Sequence, residues 1–145
     1  METKLHKHKT RLRFFIGDIR DRDRIILACK NVDYLVHTAA LKHISSGEYN
    51  PFEVIKTNII GSQNVIDAVN INKIPKAIFL STDKAVAPIN LYGATKLAAE
   101  KLFIASNNYA VNSKFSVVKY GNVFNSRGSV FPIFKEQKKK KRFLK

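Results

Sequence analysis

The sequence predicts an α/β domain built around a parallel sheet. Short apolar runs rich in β-formers alternate with stretches of helical periodicity, giving three strand–helix units in succession. The length of 145 residues suits one domain, and 45% hydrophobic with 26% charged residues is ordinary for a globular chain.

The elements follow in order along the chain. Leu12–Ile16 reads as a strand ending at Gly17-Asp18, and residues 21–30 as a short helix with Ile25, Ile26 and Ala28-Cys29 inward. Val32–Thr38 (VDYLVHT) is a buried-strand pattern. Ser45–Pro51 has the composition of a loop, and Phe52–Asn70 that of a long amphipathic helix with Ile55, Ile59, Ile66 and Val69 on one face. Ala77–Ser81 (AIFLS) is a further buried strand. Asn90 is placed to cap a helix from Leu91 to about Asn107. Phe115–Tyr120 (FSVVKY) is the last strand, and Val130–Gln137 begins another helical pattern.

A net charge of +15 raises the question of a nucleic-acid or membrane-surface partner. Its distribution answers in part. Residues 1–13 hold a net +4 and residues 135–145 a net +6, so two short ends supply two thirds of the excess. The tail lysines have no interleaved aromatics of the kind a single-strand binder stacks on bases. These ends are expected to fray, and no specific nucleic acid is expected as partner. The start has no apolar stretch and is not a signal peptide, and no run reaches the ~18–20 residues of a membrane span. A single cysteine, Cys29, excludes an internal disulfide and a cysteine-based metal cluster, so a reducing, cytoplasmic setting and no metal are expected.

The residues that carry chemistry gather where strands end. Ser81-Thr82-Asp83-Lys84 follows a buried strand at the carboxyl edge, where open α/β sheets bind ligands. Tyr92 and Lys96, four apart at the start of the next helix, share one face. An ammonium beside a phenol favours the phenolate and lowers its pKa from about 10, which suits proton removal from an alcohol. Tyr-x-x-x-Lys is also a frequent accident on amphipathic helices. Thr38-Ala39-Ala40 ends one strand in small residues that let a ligand approach the backbone, and Tyr120-Gly121-Asn122-Val123 puts polar groups at the same edge. Against a nucleotide cofactor, the six glycines show no G-x-G-x-x-G spacing.

The blocks RFFIGDIRD (13–21), HTAALKH (37–43), NPFEVIKTNIIGSQNVIDA (50–68), STDKAVAPINLYGATKLAAEKL (81–102) and FSVVKYGNVFNSRGSV (115–130) resemble the extended short-chain dehydrogenase/reductases. Within these the chain is most similar to the inverting UDP-N-acetylglucosamine 4,6-dehydratases of the CapD-like polysaccharide-biosynthesis group. Asp83-Lys84 is the sharpest discriminator: related epimerases usually lack this pair, and retaining dehydratases resemble it with Asp-Glu. The resemblance implies a partial NAD(P)-binding Rossmann-like domain over 11–134, with 1–10 and 135–145 as basic ends.

It also implies roles. Tyr92, assisted by Lys96 and Thr82, would deprotonate the C4 hydroxyl of the sugar, Lys84 would remove the C5 hydrogen, and Asp83 would protonate the departing C6 hydroxyl. NADP, with NAD as alternative, would touch Asp18, Ile19, Thr38, Ala39, Ala40, Tyr92 and Lys96. Lys42 and Asn122 would contact UDP-N-acetylglucosamine or a similar nucleotide sugar, and His43 is either a site residue or a structural hydrogen-bonder. A family-type homo-oligomer is compatible with this.

Family members run about twice as long, so the chain reads as a piece lacking a glycine-loop segment and a C-terminal lobe. In that layout Leu12–Ile16 loses its native neighbours, the other three strands can still pair, and a sheet edge and apolar helix faces are left exposed. Three readings therefore remain: a dehydratase or nucleotide-sugar epimerase site, an inactive truncated form of such an enzyme, and a non-enzymatic anion binder acting through its basic ends.

Overall fold

The computed structural model describes residues 12–121, together with Phe134. Helix α1 (Arg22–Ala28) starts where the Asp21 carboxylate accepts the Arg24 backbone N–H at 3.0 Å. Strand β1 (Tyr34–His37) follows, then α2 (Ile44–Tyr49), α3 (Pro51–Ile55), a π-helical turn (Lys56–Ile60) and α4 (Gly61–Ile71). Strand β2 (Lys76–Thr82) leads through a 3₁₀ turn (Asp83–Ala85) into α5 (Leu91–Ala105). A second 3₁₀ turn (Ser106–Asn108) precedes β3 (Lys114–Tyr120).

The three strands form one parallel sheet in the order β1-β2-β3. His37 pairs with Phe79 and Thr82 with Tyr120, so all three strands end at the same edge. This is the parallel α/β class that the alternating pattern predicts. The core lies between one sheet face and helices α4 and α5: Val65, Ile66 and Val69 meet Ala77, Phe79, Ala99, Phe103 and Phe115. The opposite face is open. Tyr34, Val36, Val118 and Tyr120, which alternate along β1 and β3 with inward residues, are all more than two-fifths exposed. Exposed apolar side chains lie on this sheet face and on the helices as well, among them Phe52, Ile60, Ile71 and Ile104.

Four local expectations are corrected. Leu12–Ile16 forms no strand. A strand needs a hydrogen-bonded neighbour, and here the Ile16 carbonyl is taken instead by Arg24 Nε at 2.7 Å, with the Arg24 guanidinium over the Phe15 ring. The predicted loop at Ser45–Pro51 is mostly helix α2, steadied by packing of Gly47 against Val54 and by the Glu48 carboxylate, which accepts the Leu91 N–H at 2.8 Å. The predicted helix 52–70 is continuous but carries the π turn, which aims Asn58 inward. The helix predicted from Leu91 ends at Ala105 rather than about Asn107, passing into the 3₁₀ turn. Asn90 caps α5 as predicted, accepting from Gly93 N at 2.9 Å. The Val130–Gln137 pattern, both basic ends and Asn122 lie outside the described residues, apart from Phe134.

Candidate active site

β2 delivers Thr82 to the carboxyl edge, and the chain turns at once into Asp83–Ala85. Thr82 Oγ1 donates to Asp83 Oδ1 at 2.9 Å and accepts from Lys84 N at 3.4 Å. Lys84 Nζ lies 3.2 Å from the same carboxylate oxygen. The turn is held tight against the first turn of α5, because a Cβ on Gly93 would run into the Lys84 carbonyl and touch Pro88. Between them, Ala87 has φ 123°, a strained value for a residue with a side chain. Glycine and strained alanine together bring Tyr92 back over the strand end.

Tyr92 is partly buried there and shares a hydrogen bond with Thr82. Its phenol is held above the ordinary value, chiefly by burial, with Tyr120 and Asp83 adding to the rise and Thr82 opposing it. The spacing argument predicts the reverse. The reason is geometric: the Lys96 ammonium points under the sheet edge, donating to the Leu80 carbonyl at 2.6 Å and lying 3.9 Å from the Phe79 ring centroid. Lys96 is only 3% exposed, and burial pushes its pKa down to about 8. Asp83, which is exposed, is held below the usual carboxylate range by Thr82 first and then by Lys84. A proton-donating Asp83 therefore requires a bound substrate to change its surroundings.

The structure brings Thr82, Asp83, Lys84 and Tyr92 together, sets the Lys96 ammonium apart on the Leu80 carbonyl, and leaves the other predicted residues more loosely attached. Thr38 and Ala39 are exposed and Ala40 is partly so, directly after β1. The next residue is clamped: buried Asn58 accepts from Leu41 N at 2.8 Å and donates to Leu41 O and to Thr95 Oγ1, both at 3.0 Å. Asn58 thus ties the 38–41 segment to α5 one residue before Lys96. Asp18 is gripped by Arg20, which holds its pKa at about 2, and Ile19 lies against Gly61. Lys42 is exposed, and His43 stands at the start of α2 with no side-chain cap bond. Among the described residues no group of three or more His, Cys, Asp or Glu is placed to hold a metal, and no helix is long and apolar enough to cross a membrane.

Two buried features escape a strand-by-strand reading. His37, 3% exposed, stacks near Phe79 and Phe103 and lies 2.9 Å from Ser62 Oγ. Ser62 spends its one proton on Asn58 O at 2.6 Å, so His37 Nε2 must carry the hydrogen it shares with Ser62. Burial first, and Lys96 second, hold His37 at about 4. The unfolded chain then binds this proton more readily than the folded one. Stability is complete above pH ~6.5 and falls by about 3 kcal/mol as the pH drops to ~4. Urea titrations across that range should show this slope in the native protein and lose it in His37→Gln; an unchanged slope would refute it.

The other feature joins three elements: Ser81 on β2, Glu100 on α5 and Lys119 on β3. The signal for it was present, since Glu100 continues the four-residue spacing from Tyr92 through Lys96.

A family model described as "Polysaccharide biosynthesis protein" matches residues 1–144. Over 127 residues, 86% of the chain, it is 59% identical to the UDP-N-acetylglucosamine 4,6-dehydratase (inverting) of Campylobacter jejuni subsp. jejuni serotype O:23/36 (strain 81-176), covering 38% of that protein. It is 49% identical over 136 residues, 92% of the chain, to the UDP-glucose 4-epimerase of Rickettsia bellii (strain OSU 85-389), covering 40% of that protein. The solved structure of Pen from Bacillus thuringiensis superposes with a TM-score of 0.90 at 45% identity, covering 95% of this chain and 44% of that one. The chain thus spans about two fifths of the length of these relatives.

Proposed function

Because the chain belongs to the polysaccharide biosynthesis protein family, we propose that it carries the catalytic wall of a nucleotide-sugar 4,6-dehydratase acting on UDP-N-acetylglucosamine with inversion at C5. The observation that carries this reading is the Asp83–Lys84 pair, 3.2 Å apart, on a turn hydrogen-bonded to Thr82 beside Tyr92. An alcohol oxidation needs Tyr92 and its neighbours alone. Loss of water from the adjoining carbons needs a further base and a further acid, and this pair supplies both types.

The residues present fit the nicotinamide end of NADP or NAD. Lys96 is a buried ammonium with three donors, one of which goes to the Leu80 carbonyl, and small exposed residues at 38–39 leave the edge beside β1 open. Thr38, Ala39, Ala40, Tyr92 and Lys96 would hold the dinucleotide there, with Asp18 and Ile19 toward its adenine. When bound, it would supply the hydride acceptor and donor. Tyr92 takes the C4 hydroxyl proton with Thr82 orienting it. Lys84 takes the C5 proton, which a C4 ketone acidifies. Asp83 gives a proton to the leaving C6 hydroxyl. For this, the sugar must part the Asp83–Lys84 contact and shield Asp83 from water, which raises its affinity for a proton, so that the proton on the Lys84 ammonium passes to Asp83 and leaves a neutral amine as base and a neutral carboxyl as acid.

The Rickettsia bellii relative favours a second reading, a 4-epimerase, which would use Tyr92, Thr82 and Lys96 without Asp83 and Lys84. The test places this chain in the Campylobacter jejuni dehydratase in place of its 127-residue match. With UDP-N-acetylglucosamine and NADP, NMR of the product should show a 4-keto-6-deoxy sugar. A 4-epimer with its C6 hydroxyl intact would establish the second reading instead.

A further inference from the structure

Helix α5 grips strand β2 at two consecutive residues. Lys96 Nζ donates to the Leu80 carbonyl at 2.6 Å, and the Ser81 hydroxyl donates to Glu100 Oε1 in a short hydrogen bond. Glu100 is 4% exposed, and its other oxygen, Oε2, lies 3.0 Å from Lys119 Nζ on β3. Lys119 is the register partner of Ser81, so the strand pairing itself sets both groups on the carboxylate. A carboxylate is costly to bury unless paired, and here it is paired on both oxygens. Glu100 stands one helical turn beyond Lys96, on the same face of α5.

We propose that Glu100 is a positioning residue for Lys96: its buried carboxylate, held by Ser81 and Lys119, pins α5 to β2 one helical turn beyond the Lys96–Leu80 bond and so fixes where the Lys96 ammonium meets the strand. This rests on the reading of Lys96 as a site residue. Lys96 is surrounded by groups that give it little anionic support. His37 on β1 is neutral, the π turn and α4 present the neutral Asn58 and Ser62, and the 3₁₀ turn holds Asp83 against Lys84 and Thr82. Tyr92 and Tyr120 meet at the strand ends. Burial lowers Lys96 to about 8, and the Glu100 charge acts against that fall.

The experiment is an NMR titration of the Lys96 Cε resonance in the full chain, labelled with ¹³C-lysine and assigned with Lys96→Arg. The native midpoint should lie near 8. Glu100→Gln keeps the size of the side chain and removes its charge, and should weaken proton binding at Lys96 by about tenfold or more. Lys119→Met removes the competing cation and should strengthen it. A native-like midpoint in folded Glu100→Gln overturns the proposal. Should Glu100→Gln fail to fold, an unmoved or lowered midpoint in Lys119→Met overturns it, and a raised one supports it. Turnover is not the readout, so an active chimaera without the shift rejects only the Glu100 role. The shift without 4-keto product rejects only the dehydratase reading.

Discussion

Lys84→Met in the chimaera is expected to slow exchange of the C5 hydrogen with solvent by about 10²–10⁴-fold, the span that a positioned general base contributes. Methionine keeps the length of the side chain and removes the ammonium, so the turn next to Gly93 should hold its shape. Tyr92→Phe is expected to stop the reaction one step earlier, before any C4 ketone exists. The two variants therefore differ in kind. With Lys84→Met the C4 hydroxyl is still oxidised and the ketone accumulates; with Tyr92→Phe neither ketone nor C5 exchange appears. If Lys84→Met exchanges C5 within tenfold of the parent, the base is another group and the role given to Lys84 is wrong.

Phe103→Ala is expected to destabilise the fold by about 3–5 kcal/mol, a large share of the ~5–15 kcal/mol a domain holds. Phe103 is fully buried on α5. Its ring stacks on Phe79 with centroids 5.0 Å apart, meets Phe115 edge-on at 5.6 Å and lies 5.8 Å from His37. All three strands thus converge on this one side chain. The same Phe79 ring supports the Lys96 ammonium, so a cavity at 103 also loosens the floor of the site. Urea unfolding of the full chain measures the loss. A cost below ~1 kcal/mol would mean that the helix-to-sheet contact does not hold the fold.

What could be read from the sequence was what local chemistry decides. The strands at 34–37, 76–82 and 114–120 are runs of β-formers, and Asn90 is a cap whose acceptor reaches only three residues ahead. The meeting of Thr82 and Tyr92 follows from a strand end and the first helical turn after it. What escaped was decided by distant partners. Helix α2 has the composition of a loop and is steadied through Glu48 by a backbone amide 43 residues away. Leu12–Ile16 has the residues of a strand but, among the described residues, no strand beside it to pair with. The Tyr92 spacing to Lys96 is right for contact, yet the ammonium turns to the Leu80 carbonyl, so the phenol rises instead of falling. Spacing places two side chains on one face; only the surroundings decide where each one points.

The pairing of Tyr92 with Asp83 and Lys84 as one dehydrating site is tested most directly by the chimaera's product made from UDP-N-acetylglucosamine in D₂O. Removal and return of the C5 proton predicts one solvent deuterium at C5 of an inverted 4-keto-6-deoxy sugar. A sugar altered at C4 with its original hydrogen still on C5 would contradict it.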